Sequence, residues 1–394
     1  MTAWTRRIGL IHAGRFLVKQ FIKRNTDYLK RTSSGKDLVI FCHYTRFEWS
    51  PVVSDGGFGG SEEAVINLSR ELAKLGWNVT VYNNCGHRPV IDAGVVYRPF
   101  WEFNPRDKQD VAILWRWPKP LDWDVNAERI FVDMHDVIPE AMFTRRNRIA
   151  KVTRIFLKSS FQRSLFPNLP DDKLVILPNG IDLSLLNGEE RKDPYLLINT
   201  SAADRSMSVL PKLFTELKRR IPQARLQWAY GWKLFELFNA DNPQKLQWMQ
   251  RTQSEMDAAG IESLGYLSHR EVGKLYQRAA ILAHPTSFPE IDPISVRKAQ
   301  ACGCVPVTTD FGGLVDAVQF GLRIPCKNTA EWMQPDRFPY GVEDPEIQRL
   351  WVDAAVDLLS NPAKRSELAA RGASWARQFG WTQTAARWDA ILRD

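Results

Sequence analysis

Short apolar runs alternate with amphipathic stretches along most of this chain. Leu38-Val39-Ile40-Phe41-Cys42 lies between Gly35 and a polar loop, which predicts a buried strand. In residues 62–75 Ala64, Val65, Leu68, Leu72 and Leu75 recur on one helical face, and Gly76 ends the helix. Further strands are predicted at 79–82, 111–114, 130–134, 155–157 and 174–177. Residues 185–194 are polar and aperiodic, which marks a domain boundary. A second series of strands follows at 195–199, 226–229, 263–266, 281–283 and 305–308, and the end reads as helices at 345–359, 364–379 and 382–392. Such alternation predicts an α/β fold of two doubly wound parallel sheets, with ligands bound at the carboxyl ends of their strands in a cleft between them.

The chain has 394 residues, 44% of them hydrophobic and 25% charged, the balance of a globular protein with two cores. No apolar stretch reaches bilayer-spanning length. The formal charge of +8 is concentrated in residues 1–36, which hold nine Lys/Arg and one acid, Asp27. On a helical wheel Arg15, Lys19, Lys23 and Lys30 oppose Leu17, Val18, Phe21 and Ile22. This arm reads either as a basic amphipathic helix on an anionic membrane surface or as a helix packed on its own domain. Arg15 and Lys19 interrupt its apolar run and no small-residue cleavage site follows, which argues against a secretory signal. Five cysteines, few and odd in number, point to a reduced, cytoplasmic setting, and Cys302-Gly-Cys304 lacks the partner cluster a zinc site needs. No aromatic and basic residues interleave as nucleic-acid binding requires, so no nucleic-acid partner is expected.

Five loops carry candidate chemistry. The segment from His284 to Gly303 reads as a strand end, an acidic loop and a helix: Asp292 can cap the helix, Pro293 suits its first turn, and Gly303 can end it. The N–H groups at that helix start, around Ile294 and Ser295, can attract a phosphate, and Glu290 just before them can accept hydrogen bonds from a sugar. Asp55 to Glu63 is a glycine-rich loop including Gly59 and Gly60 and leading into a helix; its spacing fits neither a Walker sequence nor a dinucleotide fingerprint. Val132 to Asp136 brings His135 to a strand end beside an Asp, where it either polarises a hydroxyl or serves the structure. Thr200 to Ser206 places Arg205 near a helix start, unfavourable for the helix dipole but suited to a diphosphate. Gly312 and Gly313 open the next loop and allow close backbone approach to a ligand. Trp115 and Trp117 flank Arg116 and read mainly as packing residues, alternatively as a surface for sugar faces.

At these residues the chain resembles the family-4 retaining glycosyltransferases of the GT-B fold, over roughly residue 37 to the end. The resemblance rests on Gly59-Gly60-Ser61-Glu62-Glu63-Ala64-Val65, Leu72 to Val81, Leu177-Pro178-Asn179-Gly180-Ile181-Asp182, Gly265-Tyr266-Leu267, and Pro285–Glu290 through Gly303. It implies transfer of a sugar from a nucleotide-diphosphate donor to a hydroxyl of a glycan or glycolipid acceptor, with retention of configuration and no metal or other cofactor. By the same resemblance His135, Glu290 and Arg205 are the catalytic set. Gly59, Gly60, Arg205, Ile294, Ser295, Lys298, Gly312 and Gly313 bind the donor. The expected domains are an arm at 1–36, an acceptor-side domain at 37–187, a donor domain at 188–378, and a helix at 379–394 packing back on the first. The chain departs from the family at Lys298, where the second motif Glu is expected. Lys298 reads as a subfamily variant, as a sign of a non-catalytic sugar- or nucleotide-binding protein, or as a solvent-facing helix residue.

Overall fold

The computed structural model of the chain describes residues 35–52, 59–326 and 337–394. Residues 1–34 of the amphipathic arm and Asp55, Gly56, Gly57 and Phe58 of the glycine-rich loop lie outside the described residues. The described residues form two compact units: one runs to Gly180 and resumes at Trp381–Asp394, and the other lies between Ile181 and Gly380. Among the described residues no helix is long and apolar enough to cross a membrane.

The first unit is built on strands β1 (Asp37–Phe41), β2 (Asn78–Asn83), β3 (Val90–Asp92), β4 (Val95–Pro99), β5 (Gln109–Trp115), β6 (Ala127–Asp133), β7 (Arg154–Leu157) and β8 (Leu174–Ile176). Their spatial order is β3-β4-β2-β1-β5-β6-β7-β8. All neighbours pair in parallel except β3 with β4, a hairpin turned by Ala93 and Gly94, both at positive φ. β5 is buried along its whole length, as a central parallel strand covered on both faces must be. The predicted strands are all present; the hairpin was not legible because its arms are short and its turn carries Ala rather than the usual Asn.

Helix α1 (Gly60–Lys74) follows the glycine-rich loop and buries Ala64, Val65, Leu68 and Leu72 as expected, whereas Leu75, expected on the same face, caps the helix end and is exposed. The carboxy-terminal helix Trp381–Arg393 belongs to this first unit. Trp388 packs on Phe156 with ring centroids 3.7 Å apart, and Trp77 Nε1 donates to Asp389 at 2.7 Å.

The second unit carries β9 (Asp193–Asn199), β10 (Arg225–Trp228), β11 (Ile261–Ser263), β12 (Ala279–His284), β13 (Val305–Thr309) and β14 (Leu322–Ile324) in the order β11-β10-β9-β12-β13-β14, all parallel. The strand expected at 263–266 ends at Ser263, because Gly265 turns the chain at φ +70. The chain passes between units at Gly180/Ile181 and Gly380/Trp381, a few residues from the expected boundaries 187/188 and 378/379. Residues 181–187 stay with the second unit because their turn packs on helix His269–Arg278: a Cβ on Gly273 would stand 2.4 Å from the Leu185 carbonyl oxygen.

Candidate active site

In the second sheet the chain winds outward in both directions from the β9–β12 pair, so the loops after these two strands part at a topological switch point. Asn199 ends β9 and joins the two strands, its side-chain amide donating to the Ala283 carbonyl at 2.7 Å. His284 ends β12, buried, with Nδ1 3.4 Å from Ser201 Oγ and 3.3 Å from Ser206 Oγ. Arg205 follows β9 and Glu290 follows β12.

The structure brings Arg205 and Glu290 together: Nε of Arg205 lies 3.7 Å from Glu290 Oε1. His284 Nε2 lies 3.7 Å from the same oxygen. Burial alone would raise the Glu290 pKa, but the His284 imidazole and the Arg205 charge outweigh it and hold the carboxyl below its ordinary range. The Arg205 guanidinium stacks on Phe288, 3.1 Å from the ring centroid, and donates to Asp204 at 3.1 Å. Tyr340 closes the loop through backbone bonds, its N–H to the Asp204 carbonyl at 2.7 Å and its carbonyl accepting from Ser287 N–H at 2.8 Å.

Helix Ile294–Ala301 begins directly after this loop, with no side chain capping it. Asp292 is not the cap expected from the sequence. Its carboxylate instead accepts from Arg297 Nε and Nη2 at 3.0 and 2.7 Å in a pair that is almost wholly buried. The first N–H groups of the helix, at Ile294 and Ser295, therefore keep their affinity for an anion.

The paired glycines also pack closely on their own chain. A Cβ on Gly313 would stand 2.0 Å from the Ile291 carbonyl oxygen, and one on Gly312 2.8 Å from that of Glu290. Gly313 N–H donates to the Glu290 carbonyl at 2.6 Å. The missing side chains are thus accounted for by close approach of the chain to its own Glu290 loop.

Lys298 is buried, not solvent-facing, with Nζ 3.4 Å from His269 Nδ1. The Cys302-Gly-Cys304 pair sits at the end of the same helix; burial pushes the thiols up to about 11 and about 12, as in inert structural cysteines.

The first sheet has its switch point between β1 and β5. Gly59 precedes helix Gly60–Lys74, and a Cβ there would stand 2.5 Å from Glu62 Oε2, so Gly59 makes room for a buried carboxylate that folds back over the helix start. Burial raises the Glu62 pKa, and Arg116, with Nη1 3.8 Å away, counters it. Arg116 follows β5 at φ +68 and is held by Asp136 through Nε at 2.5 Å and Nη2 at 2.6 Å. Trp115 is wholly buried against Trp49, the packing role expected, whereas Trp117 is partly exposed.

His135 follows β6, and its side chain is 3% exposed. Its partner is Asp133, at 2.9 Å from Nε2, and not the adjacent Asp136, which is taken by Arg116. Asp133 in turn meets Lys158 at 2.5 Å. Sequence reasoning passed over His284, Asp204, Phe288, Asp133, Lys158 and Glu62. For Asp133 a signal existed: residues two apart at a strand end point to one side, so Asp133 and His135 share a face.

Residues 191–331 match the family described as Glycosyl transferases group 1. Over 120 residues the chain is 30% identical to D-inositol 3-phosphate glycosyltransferase of Kineococcus radiotolerans, covering 30% of this chain and 25% of that protein, so the match spans about a quarter of the relative's length. Among solved structures, Anabaena Alr3699/HepE in complex with UDP and glucose is similar over 91% of this chain and 99% of its own, with TM-score 0.65 and 12% identity. Sucrose-phosphate synthase (tll1590) from Thermosynechococcus elongatus is similar over 91% and 98%, with TM-score 0.64 and 14% identity. At these identities the likeness shows the fold, which is GT-B, and the family match at residues 191–331 lies within the second unit.

Proposed function

We propose that the protein is a retaining glycosyltransferase, moving a sugar from a nucleotide-diphosphate donor to a hydroxyl of a glycan or glycolipid in cell-surface polysaccharide synthesis. The observation that carries this reading is the meeting of Arg205 and Glu290 at the β9–β12 switch point, directly before an uncapped helix start. A guanidinium and free N–H groups suit a departing diphosphate and do the work a metal ion does elsewhere. Glu290, held ionised, accepts hydrogen bonds from the donor sugar. The transition state is loose and oxocarbenium-like; the acceptor hydroxyl attacks from the face the diphosphate leaves, and its proton goes to the departing phosphate. His135 serves another sugar hydroxyl, and no side-chain nucleophile is assigned. Lys298 donates to the nucleotide where a Glu would accept. The protein works in the cytoplasm, with the basic arm holding it to the inner face of the membrane.

UDP and glucose occupy the HepE structure, which makes UDP-glucose the first donor to test. In a panel of radiolabelled nucleotide sugars, slow release of free nucleotide that is lost in Glu290→Ala is expected. The presence of Lys298 favours one competing reading, a binding protein without turnover. Tight nucleotide-sugar binding with no release under any acceptor would establish that reading instead. Removal of residues 1–33 is expected to abolish binding to anionic liposomes; unchanged binding would remove the membrane role.

A further inference from the structure

Three side chains from the ends of two adjacent strands of the first unit form a buried row. His135 follows β6, Asp133 ends β6, and Lys158 follows β7, with side-chain exposures of 3%, 5% and 2%. Lys158 Nζ lies 2.5 Å from Asp133 Oδ1, and Asp133 Oδ2 lies 2.9 Å from His135 Nε2. Trp388 of the carboxy-terminal helix lies against Lys158, with Nζ 5.0 Å from the ring centroid. Among the described residues Glu62 is a further charged group near the imidazole, and it also interacts with Arg116 and Asp136.

An ionised carboxylate has no proton to give. A contact of 2.9 Å to Asp133 therefore requires the hydrogen on His135 Nε2. The opposite tautomer would set two lone pairs against each other in a buried place, and losing that bond corresponds to a preference on the order of ten- to a hundredfold. Burial would raise the Asp133 pKa, but Lys158 and His135 overcome it and bring it down to about 2, so the carboxylate keeps its charge.

We propose that Asp133 and Lys158 are positioning residues that hold His135 in the Nε2–H tautomer, so that Nδ1 keeps a lone pair able to accept from a sugar hydroxyl other than the one that attacks. The role given to that hydroxyl rests on the transferase reading; the tautomer does not. Lys158 sets the polarity of the row, because it occupies one carboxylate oxygen and leaves the other to the imidazole. In Asp133→Asn the ammonium would hold the amide oxygen, turn the amide N–H toward Nε2, and reverse the tautomer.

The full-length protein labelled with ring-¹⁵N histidine has six histidines, and His135→Gln identifies the signal. The wild-type spectrum is expected to show a protonated Nε2 and a lone-pair Nδ1. Asp133→Asn is expected to exchange the two, and to lower kcat about ten- to a hundredfold with donor KM changed less than about threefold. Should that variant fail to fold, Asp133→Asn with Lys158→Met removes the stranded charge and is expected to give mixed tautomers. A protonated Nδ1 in the wild type, or one unchanged tautomer in every variant, would overturn the proposal. The expected tautomers in a protein that releases nucleotide from no donor would leave the positioning row standing and overturn the transferase reading alone.

Discussion

The backbone of Gly313 runs so close to that of Ile291 that a methyl group would have to stand 2.0 Å from the Ile291 carbonyl oxygen. The loop carrying Glu290 is therefore shaped from behind by a residue on a different strand's loop. Gly313→Ala must push the two backbones apart, at a cost of about 1–3 kcal/mol or more. We expect a lower thermal midpoint together with weakened nucleotide-sugar binding. A variant with wild-type melting and binding would show that the loop yields freely.

Asp292 and Arg297 tie that same loop to the helix after it, and Arg297 also stacks on Phe379, 4.2 Å from the ring centroid. Arg297→Met strands a buried carboxylate and is expected to destabilise by about 3–5 kcal/mol. Arg297→Met with Asp292→Leu removes both charges and is expected to recover most of that loss. Urea denaturation of the two single variants and the double variant gives the coupling; additive losses would contradict a paired role.

Arg205 combines a flat stack on Phe288 with proximity to Glu290. Lysine keeps the charge but loses both the stack and the forked donors. Arg205→Lys is expected to weaken nucleoside-diphosphate binding by roughly tenfold, about 1.4 kcal/mol. Calorimetric titration with UDP, then with other nucleoside diphosphates, measures it. Equal affinity would mean that only the point charge matters.

The Asp133 carboxyl has its pKa lowered to about 2 from an ordinary 3.8. A depressed carboxylate pKa stabilises the fold above the unfolded value, and that contribution is lost as pH falls through the folded one. The window here runs from about pH 4 down to about pH 2, and the amount is on the order of 2 kcal/mol. Acid titration of stability should show a smaller drop across this window in Asp133→Asn with Lys158→Met than in the wild type. Identical acid limbs would place the titration elsewhere.

The strand series and the main helices were legible because burial imposes its period directly on the residues. Apolar runs such as 38–42 and 281–283 mark central parallel strands, and the stripe from Ala64 to Leu72 marks one buried helix face. Arg205 and Glu290 stood out as charges at strand-end loops where a fold has no need of them. Those features depend on neighbours within a few residues, which a sequence displays.

Partnership is a different matter, since it depends on which strands become adjacent. β9 lies beside β12, and so Glu290 meets Arg205 and His284. β6 lies beside β7, and so Asp133 takes Lys158 and leaves Asp136 to Arg116. The same holds for Asp292, drawn to Arg297 instead of capping its helix, and for Gly312 and Gly313, pressed against the Glu290 loop. Residue type and spacing determined where strands, helices and candidate charges lie along this chain. Sheet order decided which charges pair and which backbones touch, because ion pairing and steric contact act through space at a few ångströms, whatever the separation along the chain.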